Sequence, residues 1–266
     1  MKKESIMFKS RLCVLLLALS TLGACVTNPE TGKSSFNIVP ESTEISMGVQ
    51  AFADVKAETR LSSNTVMTDV VKRVADRITA VTGKDYAWEV RLVESEQANA
   101  FVLPGGKIVI YTGLLPICET EAGLAFVMGH EVGHAIARHG GQRISTTMIV
   151  QAGMQVADLS FNNNSQKPMI MAALGAGTQL GTLKYSRSHE SEADYMGIRY
   201  MAKAGYDPIV APDLWVRMGK GSQQPPEILS THPAHETRTA DLKAVMKEAQ
   251  KLYQASPQKY GLGVNL

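Results

Sequence analysis

The chain has 266 residues, 44% of them hydrophobic, and a formal net charge of +2, so it can bury a core and is not a disordered polypeptide. Lys2, Lys3, Lys9 and Arg11, offset by Glu4, carry +3 of that charge, which leaves the rest near −1. With no later basic block there is no nucleic-acid footprint.

At the N-terminus, the basic stretch ending at Arg11 leads into an apolar run from Leu12 to Leu19. That order reads as a secretory signal peptide over residues 1–24, since a bilayer span needs about 20 apolar residues. The run ends in Leu22-Gly23-Ala24-Cys25, which resembles the lipobox of bacterial lipoproteins, with Cys25 as the lipidated first residue of the mature chain. The expected location is the periplasm, with a lipid anchor in the outer membrane, because Val26 stands where Asp would favour inner-membrane retention. Cys13 would leave with the signal, so Cys118 has no disulfide partner and is expected in the core. From Val26 to about Pro40, Thr, Asn, Pro, Ser and Gly predominate, which predicts a lipidated tether over 25–40.

Helical patterns begin near Glu41, and Val70, Val71, Val74 and Ile78 predict a helix over Met67 to Val81 that Gly83 stops. Trp88 to Leu92 alternates as a half-buried strand, and the turn Asn99 to Gly106 feeds a second strand, Lys107 to Tyr111. An exposed strand edge can hold a peptide by β-augmentation, and Lys107 to Tyr111 is the candidate edge. Thr120 caps a helix from Glu121 that Gly140-Gly141 ends. After an Asn/Ser loop at 160–166, Met169 to Leu183 is rich in Gly, Ala and Met, and core packing, lipid contact and a lid remain open for it. A further helix runs from Glu190 to about Ala204, with Gly205 as its cap. The fold class is α+β, mostly helical, with a small sheet; the body spans 41–250, and 251–266 is a tail.

Within the helix from Glu121 lies His130-Glu131-Val132-Gly133-His134, an HExxH pattern. Residues four apart share a helix face, so both imidazoles reach one point, and Glu131 reaches a water on a metal held there. Catalytic zinc takes three protein ligands and one water. A metzincin places its third histidine at the position of Gly140, and His139 is one residue off that register. A later carboxylate is the alternative, and Glu190 and Asp194 form a pair on one helix face.

The chain resembles the M48 family of metallopeptidases across about residues 40–245. Five blocks in family order carry the resemblance: Asn99 to Gly106 with its strand, His130 to His134, Tyr185-Ser186-Arg187, Glu190 to Asp194, and Thr231-His232-Pro233. It implies a zincin-like metalloprotease domain holding one zinc through His130, His134 and Glu190. Asp194 would be a carboxylate behind a ligating histidine, and Asn99-Ala100-Phe101 would adjoin the substrate cleft. His232 would lie at the zinc site as a catalytic oxyanion partner or as an inhibitory fourth ligand. Glu192, His189 and His235 read as surface. The implied activity is zinc-dependent endoproteolysis of misfolded or misassembled envelope proteins, with Glu131 activating water. A zinc-binding lipoprotein with a chaperone or scaffold role, and a dedicated processing protease, are the alternatives.

Overall fold

A computed structural model describes residues 25–160, 185–219, 226–232, 236–262 and 265–266. The signal-like segment 1–24, Met169 to Leu183 and His235 lie outside the described residues.

The elements are β1 (Cys25–Thr27), β2 (Ser34–Phe36), α1 (Glu41–Glu58), α2 (Thr65–Ala80), β3 (Glu89–Val93), β4 (Ala100–Leu103) and β5 (Lys107–Tyr111). They are followed by α3 (Glu121–Ile136), α4 (His139–Ser160), α5 (Arg187–Lys203), α6 (Ala211–Gly219) and α7 (Glu236–Ala255). The mostly helical α+β class holds. None of the described helices is long and apolar enough to cross a membrane.

Helix α2 forms because its apolar residues recur at helical spacing, which buries Val70, Val71, Val74, Ala75 and Ile78. Asn64 caps it by accepting from the Met67 N–H at 3.0 Å. The three-stranded sheet has the order β3-β5-β4, with β3 parallel and β4 antiparallel to β5. Lys107 to Tyr111 is therefore the central strand, which corrects its assignment as the exposed edge. Its unbroken Ile108-Val109-Ile110 run is at most 1% exposed, as expected of a strand covered on both faces. The edge on the side of α3 is β4, where Phe101 to Leu103 are half-buried.

Helix α3 is buried along nearly its whole length, Cys118 just before it is fully buried, and the Thr120 hydroxyl accepts from the Gly123 N–H at 3.1 Å. It packs closely on α5 because both carry glycine at the crossing. A Cβ on Gly129 would lie 2.7 Å from the Gly197 carbonyl oxygen, and one on Gly197 would lie 2.7 Å from the His130 nitrogen. That approach brings the carboxylates of α5 up to the histidines of α3.

Two expectations fail around this core. Helix α3 ends at Ile136, before Gly140-Gly141, because Arg138 takes a left-handed conformation (φ 56°) and donates to the Val39 carbonyl at 2.7 Å and to Glu44 at 2.6 Å. Gly141 then lies in the next helix, where a Cβ would meet Glu44 Oε1 at 1.9 Å. The stretch read as a tether is also folded: β1 and β2 form an antiparallel hairpin, and Asn28 and Asn37 are buried. Asn28 donates to Glu192 at 2.7 Å, Asn37 to Glu44 at 2.8 Å, and the Ile38 N–H to Ser145 at 3.0 Å. Asn, Thr and Ser dock a segment through side-chain hydrogen bonds as readily as they solvate one.

Candidate metal centre

The HExxH helix and α5 meet at a group of four buried donors: His130, His134, Glu190 and His232, whose offered atoms all lie within 4.8 Å of one another. His130 Nε2 is 3.1 Å from His134 Nε2, 3.3 Å from His232 Nδ1 and 3.6 Å from Glu190 Oε2. Glu190 Oε1 is 3.4 Å from His134 Nε2 and 3.1 Å from His232 Nδ1. His232 arrives at the end of a short helical turn, Ile228–Thr231, whose first N–H donates to the Ala98 carbonyl just before β4.

The spacing fits zinc. Tetrahedral bonds of about 2.0–2.1 Å place donors roughly 3.3 Å apart, the range of separations seen here. His130 Nδ1 contacts Asp194 at 3.0 Å and His134 Nδ1 contacts His139 at 2.9 Å, so both rings have hydrogen-bond partners at the rear. Their Nε2 lone pairs then face each other, an arrangement that a cation between them stabilises. The opposite carboxylate agrees. Burial pushes the Glu190 carboxyl up, but its close contacts with the His134 and His232 rings outweigh it and hold the group ionised, well below the usual range. Burial holds His134 well below its ordinary value, hence neutral, as a ligating imidazole is.

Glu131 sits one residue from His130 and 1% exposed, and its Oε1 has no hydrogen-bond partner among the described residues; His232 Nε2 lies 3.5 Å away. Burial raises its carboxyl above the usual range, against the pull of His232 and His130.

Asp194 is held from three sides. It accepts from Arg238 Nε and Nη2 at 2.7 Å each and from the Trp215 indole at 3.2 Å, in addition to its contact with His130. Arg238, 1% exposed, also pairs with Glu190 at 2.7 Å and lies 3.5 Å above the Trp215 ring. Arg238 and Trp215 were not legible in the sequence, since each sits alone on a helix, α7 and α6, distant in the chain. Tyr185, part of a block singled out by resemblance, stacks its ring 4.0 Å from that of His134.

Two residues read as surface belong to this neighbourhood. Glu192 is 9% exposed and bound by Asn28, Thr31 and Lys33, because it points from α5 toward the docked hairpin. His189 is half-buried, stacks 4.2 Å from His139 and contacts Gln142 at 3.0 Å.

A family model described as "Peptidase family M48" matches residues 62–246. The chain is 36% identical over 229 residues to the "Mitochondrial metalloendopeptidase OMA1" of Schizosaccharomyces pombe, covering 84% of this chain and 66% of that protein. It is 39% identical over 173 residues to the protein of the same name from Arabidopsis thaliana, covering 63% and 34%. It is 24% identical over 279 residues to the "Beta-barrel assembly-enhancing protease" of Escherichia coli, covering 96% and 57%. The chain thus spans 34 to 66% of the length of these relatives.

These similarities correct the location read from the N-terminus. The relatives named as mitochondrial are 32 to 39% identical to the chain, which points away from a bacterial periplasm and outer membrane. The physical reason is that a basic, acid-poor N-terminus is a feature that organellar presequences also have, so its composition leaves the compartment open.

Proposed function

This chain belongs to peptidase family M48, whose members use zinc, and we propose that it is a zinc-dependent endopeptidase acting on unfolded or misassembled protein chains. The observation that carries the proposal is the set of four buried donors at zinc spacing beside a buried Glu131 whose Oε1 has no hydrogen-bond partner among the described residues. The envelope identity of the substrates falls with the corrected location.

In this reading His130 and His134 would hold the metal through Nε2 and Glu190 would hold it through its carboxylate. When bound, zinc supplies Lewis acidity and brings the pKa of its water toward about 7. Glu131 would take a proton from the attacking water on Oε1 and later hand it to the leaving amine. Its burial suits this role, because desolvation raises the carboxyl pKa and makes the carboxylate a stronger proton acceptor. Asp194 accepts from His130 Nδ1–H, which keeps the Nε2 lone pair turned inward.

His232 takes the fourth place. Its Nδ1 points into the cluster, 3.1 Å from Glu190, so we assign it as an inhibitory fourth donor that must swing out before water and a peptide carbonyl can enter. The substrate side is the cleft along β4. A cavity of about 510 Å³ adjoins it, lined among others by Met47, Val102, Leu103, Ile144, Met148 and Tyr185, and it suits a bulky apolar side chain. Lipid attachment at Cys25 remains a proposal on its exposed thiol. A Cys25→Ser chain that floats with membranes as the parent does overturns it.

Glu131→Gln tests the chemistry apart from the fold. Zinc content and melting temperature stay at the parent level, while casein hydrolysis falls by about two to four orders of magnitude, the usual contribution of a positioned general base. Equal cleavage by both proteins removes the mechanism. The closed four-donor set also suits a zinc-binding scaffold. Full zinc with no cleavage by the parent or by His232→Ala selects that second reading, whereas a gain of activity in His232→Ala selects the protease.

A further inference from the structure

His134 and His139 meet Nδ1 to Nδ1 at 2.9 Å, and only one of those atoms can carry the proton. If His134 ligates through Nε2, as the proposed function requires, it is neutral and its proton sits on Nδ1. That N–H then donates to His139 Nδ1. His139 must in turn carry its own proton on Nε2, which faces Glu192 Oε2 at 3.4 Å. Every proton position follows from the first.

The far end of this chain is fixed by a different part of the molecule. Glu192 Oε1 accepts from Asn28 and from the Thr31 hydroxyl, each at 2.7 Å, and Lys33 lies 2.9 Å from Oε2. All three residues belong to the β1–β2 segment, more than 100 positions away in sequence from His134. The connection is buried: His139 is 0% and Glu192 9% exposed. The ring of His139 is held flat by His189, 4.2 Å away at an interplanar angle of 23°.

We propose that His139 is a positioning residue for the zinc ligand His134, and that Glu192 and the N-terminal hairpin lock it, so that zinc affinity depends on residues 28–33. His130 has its carboxylate directly in Asp194, whereas His134 has its carboxylate at one remove, through a second imidazole. The hairpin is thereby part of the metal site without touching the metal.

The test measures zinc affinity of the full chain by competition with a fluorescent chelator, together with the visible spectrum of the cobalt-substituted protein. His139→Leu lowers zinc affinity about 10- to 100-fold, the range for partners behind metal ligands, and shifts the cobalt bands. His139→Gln accepts through its carbonyl and donates through its amide, so it recovers most of the loss, which a role in filling space does not predict. Asn28→Ala with Lys33→Ala lowers affinity several-fold while the apo melting temperature stays close to the parent. Lys203→Ala removes the ion pair that holds Glu30 of the hairpin at 3.2 Å and leaves zinc affinity unchanged. Parent-level affinity in His139→Leu overturns the proposal, as does a loss that Leu and Gln share. Should His139→Leu not fold, the Asn28/Lys33 pair decides, and unchanged affinity there is fatal to the idea. His134→Ala run alongside separates the two readings: if it keeps parent affinity, the ligand assignment itself is wrong.

Discussion

On α3, His130 and His134 present the same ring atom to the same point, yet the nitrogens behind them meet different supports. Behind His130 stands a rigid charged block: Asp194, gripped twice by Arg238 and once by Trp215, all of it almost fully buried. Behind His134 stands a longer chain, His139 then Glu192, that ends on the N-terminal hairpin at Lys33, whose side chain is 41% exposed. The two carboxylates come from one helix, two residues apart. A helix turns about 100° per residue, so Asp194 and Glu190 share a face while Glu192 points to another side, toward the hairpin. One imidazole is thus supported from the core, and the other from a surface segment joined to the core by hydrogen bonds.

The predictions grade that difference. Glu190→Ala removes a donor common to both halves and gives the largest loss of zinc, measured by metal analysis after dialysis; an equal loss in Glu192→Ala would break the assignment. Asp194→Ala removes one carboxylate partner of the buried Arg238, and breaking a buried ion pair in this way costs about 3–5 kcal/mol in chemical denaturation. Glu192→Ala is milder. Lys33 keeps Ser188 and solvent as partners, and the partly exposed Lys33 pair contributes about 1 kcal/mol or less of the stability lost, while zinc binding weakens measurably. An Asp194→Ala chain no less stable than Glu192→Ala would show that the two supports do not differ as the burial says. The smallest effect belongs to Cys25→Ser, at the exposed end of the hairpin: zinc affinity and melting temperature match the parent, and a drop in either would place strand β1 inside the supporting network.

Much of the core site was legible because its residues lie within single helical turns. His130, Glu131 and His134 fall on one turn of α3, and Glu190 and Asp194 on one turn of α5, so spacing alone announces a shared face. Local capping was legible for the same reason at Thr120, though not at Asn64. The mistakes lie where a residue's partner is remote. Lys107 to Tyr111 read as an edge because order within a sheet is a tertiary property; its unbroken apolar run was the available sign of a covered strand. Glu192 and His189 read as surface because nothing near them in sequence shows that the hairpin and α4 cover them.

The sequence by itself determined the chemistry offered along each helix: two imidazoles and a base on α3, two carboxylates on α5, and apolar stripes that bury both. These follow from the fixed period of the helix, which needs no knowledge of the rest of the chain. Tertiary structure decided which donors meet. The glycines at Gly129 and Gly197 let α3 and α5 approach until Glu190 faces the histidines, His232 is brought in from beyond α6, and Arg238 closes the site from α7. It also decided that a polar N-terminal stretch folds back as a strut, because its Asn, Thr and Lys side chains find in Glu192 a buried charge that must be hydrogen-bonded.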